Sequence, residues 1–126
     1  MLVATAAFGI VLACASASYA QPKVGGYKVA KTDAPEVVAA AEFAVTAQNE
    51  KDDFGRTLIS VLSAEHQLVA GTNYRMCLKV KLGGDEGEIH YIKAVVYRDL
   101  KQVHKLTSWA DDEACAAKDE EEADEN

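Results

Sequence analysis

Apolar and polar side chains alternate with a period of two along residues 72–82. Tyr74, Met76, Leu78, Val80 and Leu82 fall on one face, and Arg75, Cys77, Lys79 and Lys81 on the other. This pattern predicts a strand, Thr72 to Leu82, with one buried face. A preceding strand is predicted from Arg56 to His66, where Leu58, Ile59, Val61 and Leu62 supply bulk. The turn Gly83-Gly84-Asp85-Glu86-Gly87 leads to a further strand, Glu88 to Arg98, rich in Ile, Tyr and Val. His104 to Trp109 reads as a short last strand and Tyr27 to Lys31 as a weak first one. Between residues 34 and 49 the period changes. Val37, Ala40, Ala41, Ala44, Val45 and Ala47 recur at helical spacing, with Phe43 beside them. Asp33 as cap, Pro35 in the first turn and Glu36 three residues after Asp33 mark its start as a capping box. One helix followed by an antiparallel meander predicts an α+β fold, with one long α-helix packed on a five-stranded antiparallel β-sheet.

The connection between the second and third strands departs from ordinary loop chemistry. Gln67-Leu68-Val69-Ala70-Gly71 places two apolar side chains where hairpin tips are normally polar. Either Leu68 and Val69 extend the preceding strand into the core, or they remain outside for a partner to cover.

Composition refines this picture at both ends. The chain has 126 residues and a formal net charge of −7. Residues 1–20 carry no charged side chain. An apolar run, Phe8 to Ala13, precedes small residues ending Ser18-Tyr19-Ala20. That is the layout of a secretory signal peptide, although a basic start is missing, and it predicts a mature chain from Gln21. Residues 111–126 contain nine acidic residues and one lysine, a charge of −8, so the preceding domain, 21–110, is close to neutral. The acidic run is expected to be a disordered, solubilising tail. No basic patch with interleaved aromatic residues points to nucleic acid, and the apolar start is too short for a membrane anchor. Cys14 leaves with the signal segment. Cys77 and Cys115 remain, candidates for one disulfide in a secreted chain, with two free thiols or an intermolecular pair as alternatives. Cys77 lies on the outward face of its strand, which the segment after Trp109 would have to cross.

Three segments, in order, resemble the cystatins, tight-binding inhibitors of papain-like cysteine proteases. Gln67, Val69 and Gly71 complete a Gln-x-Val-x-Gly signature; Val24-Gly25-Gly26 matches the glycine near the mature start; Ala41-Glu42-Phe43-Ala44-Val45, ending near Asn49, is similar to the central helix, especially of the plant type. The resemblance spans roughly residues 23–109. It implies a three-part wedge. Lys23 and Val24 would occupy unprimed subsites, Gly25 would bend the chain away from the catalytic cysteine with Gly26 beside it in the contact, and Gln67, Leu68, Val69, Ala70 and Gly71 would form the central contact. A second hairpin loop often carries Pro-Trp in the family. Here spacing puts that loop at Asp99-Leu100-Lys101-Gln102, with Leu100 as its apolar contact and Trp109, the single tryptophan, in the last strand. The implied partner is a papain-like (C1-type) cysteine protease, met by a secreted monomer without cofactor, metal, nucleic acid or membrane. A non-inhibitory binding protein on the same fold is the alternative, favoured by the missing Pro-Trp. A third reading gives the acidic tail a role of its own.

An enzyme is disfavoured. His66, His90 and His104 lack metal-ligand spacing, and Cys77 on a strand face, with a candidate disulfide partner, is a poor nucleophile.

Overall fold

The helix cap lies one residue later than expected. The computed structural model describes residues 26–124, and in it α1 spans Pro35–Asp52. Its N-cap is Ala34, at φ −61° and ψ 134°, and no side chain caps it. The capping box led by Asp33 therefore does not form. The reason is Pro35, whose ring drives the residue before it into extended backbone, so that Ala34 takes the cap position. At the other end Asp53, at φ 60°, donates its N–H to the Asn49 carbonyl and stops the helix.

Five strands follow the expected meander: β1 Lys28–Ala30, β2 Arg56–Val69, β3 Gly71–Leu82, β4 Ile89–Arg98 and β5 His104–Asp111. They lie in the order β1-β2-β3-β4-β5, every neighbouring pair antiparallel. The α1 face Val37, Ala40, Ala41, Ala44 and Val45 is buried against Tyr74, Met76, Leu78 and Val80 of β3 and Ile92, Ala94 and Val96 of β4. Alanines let the helix approach the sheet closely. The fold is thus the long helix on a five-stranded antiparallel sheet that the periodicities predict.

Asn49 joins the two layers. Its Oδ1 accepts from the Arg56 N–H at 3.0 Å and its Nδ2 donates to the Arg56 carbonyl at 3.0 Å. The Arg56 guanidinium adds a two-pronged bond to Asp52, at 2.8 and 2.6 Å, which holds that carboxyl well below the usual carboxylate range. The helix end and the start of β2 are thereby locked, and with them the direction in which β2 runs toward its tip.

The acidic segment departs from the disorder expected of its composition. Residues Glu113–Cys115 form a turn of 3₁₀ helix and Ala116–Asp124 a second helix, α2. A Cys77–Cys115 disulfide, with Cα atoms 5.4 Å apart, pins this segment to the outward face of β3, and Cys115 is fully buried. Asp119 then bridges two strands, accepting from Lys79 Nζ and from the Tyr91 hydroxyl, each at 2.9 Å. A compositional argument treats the tail as a free chain. The crosslink removes most of the entropy that would keep it free, and lysine and tyrosine on the sheet supply partners for one of its charges.

Two predictions arise here. Replacing both cysteines by alanine should cost about 3–4 kcal/mol, because the closed loop spans nearly 40 residues (a sequence separation of 38). Urea denaturation of the oxidised protein against the double variant measures this; equal midpoints would show that the bridge contributes nothing.

The second concerns pH. Hydrogen bonds from Lys79 and then Tyr91 lower the Asp119 carboxyl below its ordinary 3.8, and those same contacts raise Lys79 and Tyr91 above their ordinary 10.5 and 10.0. A lowered acid stabilises the docked helix above its ordinary value and stops doing so as pH falls through the lowered one; the raised groups lose their contribution as pH rises past about 10. Amide-exchange protection at 118–120 should therefore be flat between about pH 5 and 9 and decline below about pH 4. Protection unchanged down to pH 2 would refute the role of Asp119.

The expected signal peptide over residues 1–20, its cleavage site before Gln21, and Val24 and Gly25 of the arm lie outside the described residues. Among the described residues, no helix is long and apolar enough to cross a membrane.

Candidate functional site

Antiparallel pairing brings three parts of the chain to one end of the sheet. β2 and β3 meet at Val69 opposite Gly71, so Ala70 alone makes the turn. The Gln67–Gly71 segment is thus not a five-residue loop: Gln67, Leu68 and Val69 continue β2, and Gly71 begins β3. They extend the strand outward, beyond the helix, and not into the core. Leu68 is 69% exposed. β4 and β5 close at the same end, Arg98 opposite His104, with Thr72 opposite Arg98 setting the two hairpins level. β1 pairs Lys28 with His66 and Ala30 with Ala64, which directs Gly26 toward Leu68.

Local chemistry makes both tips stiff. Gly71 has φ +110°, and a Cβ there would lie 2.4 Å from the Arg98 carbonyl oxygen and 2.9 Å from the Tyr97 hydroxyl. Only glycine allows the two hairpins to approach this closely. The Tyr97 hydroxyl donates to the Ala70 carbonyl across the gap, and Asn73 Nδ2 donates to Gln67 Oε1 at 3.2 Å below the turn. In the second hairpin, Asp99 Oδ1 accepts from the N–H groups of Lys101 at 2.8 Å and Val103 at 3.0 Å, while its carbonyl accepts from Gln102 at 2.9 Å. Gln102 takes φ 65°, closing the turn. Leu100 and Val103 are left 80% and 60% exposed at its crest.

Of the predicted contact residues, the structure brings Gly26, Gln67, Leu68, Val69, Ala70, Gly71, Asp99 and Leu100 to this one end. Their parts differ from a uniform contact strip. Leu68 and Leu100 present apolar surface; Val69 is half-exposed and faces a residue without a side chain; Gln67 and Asp99 are engaged internally. Trp109 stands in β5, paired with Ala94, half-buried against the core, with the Arg56 guanidinium 5.5 Å from its ring. The tryptophan is therefore structural, and the second tip carries leucine. Sequence reasoning missed Tyr97, Arg98 and Val103. Tyr97 and Arg98 immediately precede the second loop, but only the strand register shows that they reach Ala70 and Gly71.

His104 stacks on Phe43 at 5.2 Å, and His90 lies beside Glu88 and Asp111. Among the described residues, no cluster of His, Cys, Asp or Glu is arranged to hold a metal ion.

A family model described as SQAPI, aspartic acid proteinase inhibitor, matches residues 29–111. Cysteine proteinase inhibitor 5 of Arabidopsis thaliana is 36% identical over 92 residues, 71% of this chain and 74% of that protein. The chain belongs to the cystatin superfamily of proteinase inhibitors. It is an inhibitor by family, not an enzyme. Solved cystatins share the fold. A salivary cystatin of the soft tick Ornithodoros moubata superposes with a TM-score of 0.59 at 22% identity, over 70% of this chain and 97% of its own. Mialostatin, a gut cystatin of the hard tick Ixodes ricinus, gives 0.59 at 19% identity, over 69% and 97%. Within this family the exposed edge stands out: Leu68 and Leu100 are both left to solvent at the tips of neighbouring hairpins.

Proposed function

We propose that the chain is a secreted, reversible, tight-binding inhibitor of papain-like cysteine proteases, which fills the active-site cleft with its chain start and two hairpin tips. The observation that carries this reading is the exposure of Leu68 and Leu100 on adjacent, internally braced turns. Apolar side chains held out on rigid backbone bury surface on docking and lose little entropy in doing so. Gly26 and the preceding Val24 and Gly25 would complete the wedge from the β1 side. No peptide bond of either turn needs to sit at the catalytic thiol, so the inhibitor should leave the cleft uncut. The disulfide supports an oxidising, extracellular setting.

Titration of papain with the purified chain tests this. Stoichiometric loss of activity, full recovery on dilution and an unchanged inhibitor mass are expected. Absence of inhibition, or cleavage within 67–71, would reject the reading and leave a cystatin-fold binding protein. The description of the matching family model favours one second reading, aspartic proteinases as targets. A parallel titration of pepsin separates the two, and the complete Gln67–Val69–Gly71 signature favours papain.

A further inference from the structure

The charges of this molecule are sorted along the strands. At the tips the cations are Lys28, Arg98, Lys101 and Lys105, with the three lysines exposed. The acid on the second tip, Asp99, accepts from the backbone N–H groups of Lys101 and Val103 and keeps its negative charge beside the lysines. Glu65, further down β2, is paired to Arg75 at 2.9 Å, and Glu36, in the first turn of α1, acts on Tyr74 together with Arg98 and offsets that cation, which leaves the exposed lysines to carry the field. The opposite end is acidic. Glu50 and Asp53 surround the end of α1 with Lys51 between them, and Asp85, Glu86 and Glu88 outnumber Lys81 at the β3–β4 turn. Asp111, Asp112 and Glu113, at the end of β5, add to that side, and on the outer face α2 covers Lys79 through Asp119.

The separation matters more than the net charge. β3 has 12 residues, which places the β3–β4 turn some 35 Å or more from the tips, roughly 40 Å if fully extended. At about 0.1 M salt a charge is screened within about 10 Å. A protein approaching the tips therefore meets Lys28, Lys101 and Lys105 almost free of the acidic far end, although the whole chain is negative.

We propose that this edge selects papain-like proteases whose cleft is rimmed by acidic side chains, with Lys101 and Lys28 steering the encounter and the apolar tips supplying the bound-state contact. This rests on the inhibitory reading above and narrows its target class. Steering acts on association more than on dissociation.

The experiment measures association and dissociation rates by stopped flow. It uses a papain-family enzyme chosen for acidic residues around its cleft, and a variant of that enzyme with those acids changed to amides. For the acid-rimmed enzyme, association should slow about 5–10-fold between about 20 mM and about 300 mM NaCl. Lys101→Glu and Lys28→Glu should each slow it about 3–10-fold at low salt, with dissociation nearly unchanged. The amide-rimmed enzyme should show a flat salt profile, and Glu86→Lys at the far end should change little. Neither lysine side chain holds the fold, and circular dichroism of each variant checks this. Retained inhibition with a salt-independent rate, or with rates indifferent to both lysines, overturns the steering and leaves the inhibitory reading standing. Failure of the native chain to inhibit any papain-family enzyme overturns both.

Discussion

Val69→Asp leaves the fold intact and weakens inhibition of papain at least about 100-fold, or about 2.7 kcal/mol. The first half of this result follows from position. Val69 is the last residue of β2, half-exposed, and opposite Gly71, so no side chain across the strand depends on it. A carboxylate there remains in water in the free protein, and the thermal midpoint should move by a degree or two at most. The second half follows from the proposed cleft. A carboxylate carried into an apolar, desolvated site without a partner costs several kcal/mol. The measurement is an inhibition constant paired with a melting curve. Unchanged inhibition at unchanged stability would remove the first hairpin from the contact.

Gly71→Val is expected to damage both properties together. A β-branched residue at φ +110° is strained, and its Cβ would stand 2.4 Å from the Arg98 carbonyl oxygen. Backbone must move on one hairpin or the other, because the obstacle is main chain and not a flexible side chain. We expect a loss of about 2–4 kcal/mol of stability, read by urea unfolding. Inhibition should fall by more than that loss alone produces, because the tips separate and the Tyr97 bond to Ala70 breaks. Gly26→Ala is the contrasting substitution. Nothing lies within 4 Å of a Cβ at Gly26, so the free protein accommodates it. Any lost inhibition there would report a contact with the protease. A native-like melting curve for Gly71→Val would refute the close approach of the two hairpins.

The sequence by itself determined the element types, the inward faces of β3 and α1, and the assignment of Trp109 to the last strand. Periods of 2 and 3.6 report which side chains must leave water, and that demand is local. It also marked the Gln67–Gly71 tip, because apolar residues beside a glycine contradict ordinary turn chemistry. Three things were decided only in three dimensions. Ala34, not Asp33, caps the helix, since the neighbour effect of Pro35 outweighs capping preference. The acidic segment folds, since a crosslink across 38 positions changes an entropy that composition cannot register. And Gly71 is required chiefly by Arg98, a residue 27 positions away that strand register alone brings within reach. Periodicity says which face a residue occupies; only the completed sheet says what stands beside it.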